Sequence, residues 1–392
     1  MTNDQPSLRL HGNPTHSLEQ QSESLGRPTK LAKIENQVSV QKTEVKQGNE
    51  VTVEEEEEDR ETIIGEETMN RNPGAQRYLV AIEYIGTRFA GAQKQPRDRT
   101  VVGVLEEAFG KFVGKPVSIY CSSRTDAGVH ALSNVCHIDV ERVSKRRPGE
   151  VLPPHEPDVV KRAVNHFLQK KEGDISVIDV RCVPPDFHAR YKAQERTYFY
   201  RLLSGPEPLS VLERNQAWHV SEELDIMAMQ RACKILAGCH DFSSFRAAAC
   251  QAKSPIRSLD ELSVTEVFST PYFPSSMERD AGWLKDDSGG AVSTNKSNSD
   301  IIIAHNTNVE SNPVFGIRKR HRCYVVTARA RSFLYHQVRL LVGVLKCAGT
   351  GEVTNSDVER ILEAKTVTAA RPMAPSCGLY LGHVKYDLPA LD

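Results

Sequence analysis

An α+β fold of two similar halves, each an antiparallel sheet with helices on one face and a cleft between the halves, follows from three features of the sequence. Residues 77–183 alternate strand-period and helix-period segments in the order β-α-β-β-α-β, which is the ferredoxin-like (RRM-like) order. The same alternation recurs from Thr197 onward. Residues 1–75 and 270–315 carry neither period and delimit the rest. The predicted division is therefore an acidic disordered tail (1–75), a first half (76–186) and a second half (187–388) interrupted by a disordered insertion (270–315).

Each element has a local reason. Tyr78, Val80, Ile82 and Tyr84 alternate with their neighbours and read as a strand that stops at Gly86. Val101, Val104, Leu105, Ala108, Phe109 and Phe112 recur at helical spacing. Residues 117–121 and 135–140 make two strands. Asp158 is placed to cap a helix whose apolar face is Val159, Val160, Ala163, Val164, Phe167 and Leu168, and residues 175–183 close the first series as a strand. In the second series residues 197–203 are a strand, and Leu224, Met227, Ala228, Ile235 and Leu236 mark a helix stopped by Gly238. Residues 258–268 and 323–330 are strands flanking the insertion. A helix is expected from Ser332, with Leu334, Val338, Leu341, Val342 and Leu345 on its apolar face. Gly349-Thr350-Gly351 lacks a following G-K-[ST], so it reads as a helix C-cap and not a phosphate loop. Ser356 with Glu359 fits a capping box for a short helix, and residues 379–386 form the last strand.

Composition narrows the function classes. The chain has 392 residues, 39% hydrophobic, and a formal charge of −1. That near-neutral value hides an asymmetry: residues 1–75 hold 8 Lys+Arg against 15 Asp+Glu, a net of −7, which leaves the remainder at +6. A basic folded part favours a polyanionic partner. The acidic run from Glu54 to Asp59 reads as solvated tail in preference to a nucleic-acid mimic. No apolar run approaches a membrane span, so no membrane partner is expected. Nine cysteines without a C-x-x-C pair exclude a secreted disulfide scaffold and predict reduced, intracellular thiols.

The densest polar constellation is Ser122-Ser123-Arg124-Thr125-Asp126-Ala127-Gly128-Val129-His130, in a loop between two strands. Local composition by itself fits a plain turn, with Asp126 capping nearby amides and Gly128 supplying a positive φ. The run RTDAGVHA between two strands, however, resembles the signature of the TruA family of tRNA pseudouridine synthases. Further blocks follow in the family's order: Phe187-His188-Ala189-Arg190-Tyr191 with Arg196-Thr197-Tyr198-Phe199-Tyr200, then Ser332-Phe333-Leu334-Tyr335-His336-Gln337-Val338-Arg339, then Ala374-Pro375-Ser376-Cys377-Gly378-Leu379. Ala131-Leu132-Ser133-Asn134 is most similar to the metazoan tRNA pseudouridine synthase-like branch. The chain departs from the pattern at Ala92, where many members have an aromatic residue, and at Ser123, where glycine is frequent.

The resemblance implies the pseudouridine synthase fold and a cofactor-free isomerisation of uridine to pseudouridine in the anticodon stem-loop of tRNA. It implies Asp126 as nucleophile and Arg339 as the guanidinium that keeps it ionised. Arg124 is expected to hold the RNA backbone or fill the stack left by a flipped-out base. Tyr198 is expected to stack on the uracil and take its C5 proton, while Tyr200 reads as core. Three basic runs, Lys145-Arg146-Arg147, Arg318-Lys319-Arg320-Arg322 and Lys94-Arg97-Arg99, are expected to serve phosphate binding. His130, His188 and His336 lack metal-ligand spacing, so no metal and no acidic partner is assigned to them. A homodimer with tRNA across both subunits is implied. The rival readings are the same chemistry on mitochondrial or messenger RNA, with a mitochondrial or a cytoplasmic or nuclear location unresolved although no transit peptide is evident around Asp4 and Glu19, and a non-catalytic RNA-binding protein of the same fold.

Overall fold

The computed structural model describes residues 74–147, 149–268, 318, 320–370 and 372–388. The expected acidic tail (1–75), apart from its last two residues, and the expected insertion (270–315) lie outside the described residues. In chain order the elements are β1 (Ala75–Tyr84), α1 (Val101–Val113), β2 (Ile119–Cys121), β3 (His130–Glu141), α2 (Pro157–Lys171), β4 (Ile175–Val183), β5 (Glu195–Ser204), β6 (Trp218–Val220), α3 (Ile226–Leu236), β7 (Gly238–Asp241), β8 (Ile256–Val267), β9 (Arg322–Ala330), α4 (Gln337–Gly349), α5 (Asn355–Glu363) and β10 (Leu379–Lys385).

The strands form one mostly antiparallel sheet in the order β4-β1-β3-β10-β5-β9-β8-β7, with β2 added on β3 and β6 on β5. The first four strands run β4-β1-β3-β2, and β10-β5-β9-β8 repeats that order in the second half. The two expected sheets are thus continuous. The join is the last strand: β10 pairs antiparallel with β5 and, at Tyr380↔His130 and Leu381↔Ala131, parallel with the start of β3.

Each half has its own core. Tyr78, Val80, Ile82 and Ile138 meet Val101, Leu105 and Phe109 of α1 and Val160, Val164 and Leu168 of α2. Tyr200, Leu202, Val264, Tyr324 and Val326 meet Met229 and Leu236 of α3, Leu341 and Leu345 of α4 and Val358 of α5. Fully burying a side chain such as Leu341 contributes about 2 kcal/mol.

Local chemistry moves several boundaries. α2 begins with Pro157 and has Glu156, not Asp158, at its N-cap, because proline presets the first helical φ and has no N–H to satisfy. The capping box of α5 is Thr354 with Asp357, whose side chains and backbone bond reciprocally, so Ser356 lies inside the helix. α4 starts at Gln337, not Ser332: the Leu334 amide donates to Gln337 Oε1 (2.8 Å) and the Gln337 amide to Leu334 O (3.0 Å), closing a turn ahead of it. His336, the N-cap, takes the left-handed conformation (φ 64°). Gly351 (φ 78°) follows the end of α4 and its amide donates to Ala348 O, as a C-cap requires. β3 starts five residues before the expected strand, because its added start includes the polar His130, Ser133 and Asn134, and β6 and β7, three and four residues long, are too short to show a period.

Candidate active site

The loop of residues 122–129 joins β2 to β3 and is held from below by buried hydrogen bonds. Asn134, fully buried, accepts from Ser122 Oγ (3.0 Å) and donates to Ser123 O and to Tyr84 Oη, both at 3.2 Å. Tyr84 Oη and Thr125 Oγ1 are 2.8 Å apart. Burial pushes the Tyr84 phenol well above its usual range, so it remains a neutral hydrogen-bonding group. The Ala92 amide donates to Thr125 O (2.9 Å), and Ala92 is itself buried beneath the loop, so the first departure from the family pattern sits under this turn. A Cβ on Gly86 would lie 1.9 Å from Val129 O, which is why the chain approaches the loop through a glycine.

With Ser123 and Thr125 facing inward, Asp126 is presented to the start of α4. Its Oδ2 lies 3.3 Å from Arg339 Nη1 and 3.2 Å from His336 Nε2. The three side chains are 22%, 12% and 17% exposed, so solvent screens them weakly. Arg339 is aimed by a second bond, Nε to Ala374 O (2.8 Å), and the Ala374 amide returns to Arg339 O (3.0 Å). The segment of residues 372–374 packs so closely on α4 that a Cβ on Gly343 would fall 1.7 Å from Pro372 O. Farther along, Tyr200 Oη donates to Pro375 O (2.7 Å), and a Cβ on Gly128 would come 2.7 Å from Ser376 Oγ. All four sequence blocks therefore meet around one carboxylate.

Tyr198 projects from β5 with its ring edge-on to Phe333 (5.2 Å, 89°). Burial pushes its phenol up to about 12; the Arg196 guanidinium opposes that rise and the Asp126 carboxylate adds to it. Tyr200 is fully buried in the second core, as expected. Arg124 is exposed and does not join Asp126; burial and then the like charge of Arg190 lower its pKa, which puts it beside Arg190 and Tyr191.

Two functional positions were not legible as such. The sequence assigns His336 no acidic partner, yet its ring touches Asp126, its backbone taking the left-handed conformation at the helix entrance. Its place three residues before Arg339 was the available signal. Arg196 donates to Ser123 Oγ, Ser122 O, Arg190 O and Arg331 O, clamping the 122–129 loop to two other segments. His130 is a packing residue: Nδ1 accepts from the Gly86 amide, Nε2 lies 3.0 Å from Asn215 O, and the ring stacks on Tyr380.

The basic runs are partly spent on internal pairs. Arg99 binds Glu172 and Asp174 and lies over Phe89, Arg322 chelates Glu266, and Lys94 pairs with Glu106. Lys145, Arg146 and Arg147 are exposed, and Lys319 lies outside the described residues. Among the described residues no group of three metal-ligating side chains assembles, and no helix is long and apolar enough to cross a membrane.

A family profile described as tRNA pseudouridine synthase matches residues 80–192 and 232–387. The tRNA pseudouridine synthase A of Methylobacterium nodulans is 36% identical over 316 residues, covering 81% of this chain and 98% of that protein. The protein of the same name from Rhodospirillum centenum is 37% identical over 311 residues, covering 79% of this chain and 100% of that one.

Proposed function

The chain belongs to the TruA family of tRNA pseudouridine synthases, isomerases of uridine in tRNA, and from that premise we propose that Asp126 is its nucleophile and the anticodon stem-loop its target. The observation that carries the reading is the meeting of Asp126 Oδ2 with Arg339 Nη1 across 213 residues of sequence, at 3.3 Å. A guanidinium at that distance donates to the carboxylate and fixes the direction in which its oxygens are presented, which a nucleophile needs.

In the reaction the N1–C1′ bond of uridine breaks and a C5–C1′ bond forms on the same ribose. The C5 hydrogen leaves as a proton and N1 gains one, so product and substrate are isomers and the balance needs no oxidant, reductant or group carrier. A carboxylate that bonds transiently to the nucleotide divides the exchange into two easier steps. Arg339 and His336 hold Oδ2 of Asp126 in one orientation, which removes the orientational cost of attack. Tyr198 carries a buried phenol that stays neutral at neutral pH, and its ring suits a stacking platform for the uracil while it turns. Arg124, exposed beside the loop, is assigned to the RNA backbone or to the gap left by the extruded base. We further propose two functional halves, residues 76–186 and 187–388, in an intracellular homodimer.

The test is Asp126→Asn. It should abolish pseudouridine formation on unmodified tRNA, read by carbodiimide-blocked primer extension, with tRNA affinity kept within about five-fold, since only the charge of one group changes. Full activity in this variant would remove Asp126 from the role.

A further inference from the structure

Beside the Asp126 loop lies a second cluster that the reaction does not use. The β2–β3 register pairs Tyr120 with His137, and the neighbouring pair Ile119↔Ile138 points into the first core. Strand alternation therefore puts Tyr120 and His137 on the sheet face away from α1 and α2. Across that face runs the segment after β4: the Ala189 amide donates to His137 Nδ1 (3.2 Å), and the Arg190 amide to His188 Nδ1 (3.0 Å). The rings form a continuous stack. Tyr120 is parallel to His137 (5.2 Å, 15°), His137 meets His188 edge-on (4.6 Å), and His188 meets Tyr191 (4.3 Å).

The two histidines inside the stack are buried, at 1% and 5% exposure, whereas Tyr120 at its outer end is 46% exposed. The rim is cationic: Arg124 and Arg190 are exposed, and neither forms an ion pair among the described residues, unlike Arg99 and Arg322. Arg196 bridges Ser122 O and Arg190 O, at 3.0 Å each, which ties this rim to the Asp126 loop. An exposed aromatic face with two unneutralised guanidiniums matches a nucleobase and its flanking phosphates better than it matches an apolar protein partner.

We propose that Tyr120, backed by His137 and His188, is a stacking shelf for one unpaired nucleobase of the substrate RNA near the target uridine, with Arg190 and Arg124 on the adjoining phosphates. The shelf rests on the tRNA reading above and adds a contact outside the reacting centre. Because it binds substrate and transition state alike, its loss falls on Kd and KM more than on kcat.

The experiment uses the full chain and an unmodified tRNA transcript carrying uridine tritiated at C5, whose tritium is released when C5 is alkylated. Tyr120→Ala and Tyr120→Gln should each weaken transcript binding by about 5- to 150-fold, the range for losing one stacked base. Tyr120→Phe, which keeps the π face, should restore affinity to within about three-fold. Arg190→Gln should reduce the slope of log K against log salt by roughly 0.7 to 0.9, one phosphate contact. Affinity unchanged in Tyr120→Ala and Tyr120→Gln would overturn the shelf and leave the ring to a protein partner or to packing. If both variants melt early, a 4-thiouridine transcript irradiated with the unaltered protein decides: a crosslink at Tyr120 supports the shelf and its absence overturns it. Failure of the unaltered protein to bind or turn over tRNA would instead fall on the function assigned above, so the two failures are distinguishable.

Discussion

Removing the Arg339 guanidinium while leaving α4 in place isolates what that group does for Asp126. At 3.3 Å the two charges attract by about 5 kcal/mol at an effective dielectric of about 20, before the cost of desolvating them. The net worth of a hydrogen bond to a charged group is smaller, roughly 1.5 to 3 kcal/mol. That lower range applies here because His336 Nε2 stays 3.2 Å from the same oxygen and retains part of the hold. Arg339→Ala should therefore slow single-turnover tritium release by roughly 10- to 150-fold. Arg339→Lys keeps the charge but not the second bond, Nε to Ala374 O at 2.8 Å, and should fall between the two. Binding of tRNA, measured separately by filter retention, should move little. Turnover within two-fold of the unaltered protein in Arg339→Ala would show that the carboxylate does not depend on this arginine and would refute the reasoning.

Three other outcomes are expected. His336 has φ 64°, where glycine is at ease, so His336→Gly should keep the melting temperature within a few degrees while slowing turnover about 3- to 10-fold, one hydrogen bond's worth; His336→Val, strained at that φ, should lose both. Gly343→Ala would drive its Cβ against Pro372 O and force α4 off the segment that aims Arg339, so a loss of about 1 to 3 kcal/mol in urea unfolding and a disproportionate loss of turnover should appear together. Tyr78, Tyr198 and Tyr324 have phenols pushed up to about 12, mainly by burial, whereas the unfolded phenols ionise from about pH 10. The folded state then binds more protons than the unfolded state, so the stability these three phenols contribute is complete below pH 10 and is lost as pH rises toward 12; equal urea midpoints at pH 9 and pH 11 would contradict this.

What the sequence determined by itself is the content that is local. Strand and helix periods carried the β-α-β-β-α-β order of the first half, because alternation at Tyr78, Val80 and Ile82 and helical spacing at Val101, Leu105 and Phe109 reflect one sheet and one helix facing one core. The loop around Asp126 reads locally only as a polar turn; it was singled out by the resemblance of its RTDAGVHA run to a family signature, while the partners that hold it, Tyr84, Arg196 and Arg339, lie 41 to 213 residues from the groups they touch. Tertiary structure alone decided the rest. The Asp126–Arg339 contact spans 213 residues, the seam between halves depends on β10 finding the start of β3, and Arg99 and Arg322 turned out to be neutralised by acids far away or on another strand. His336 shows the limit most clearly, since nothing in its neighbours announces a left-handed backbone that returns the ring to a carboxylate on another segment. Periodicity reports which face a side chain takes, whereas partners across the fold are set by how separately formed elements dock, and that information exists only once the chain has folded.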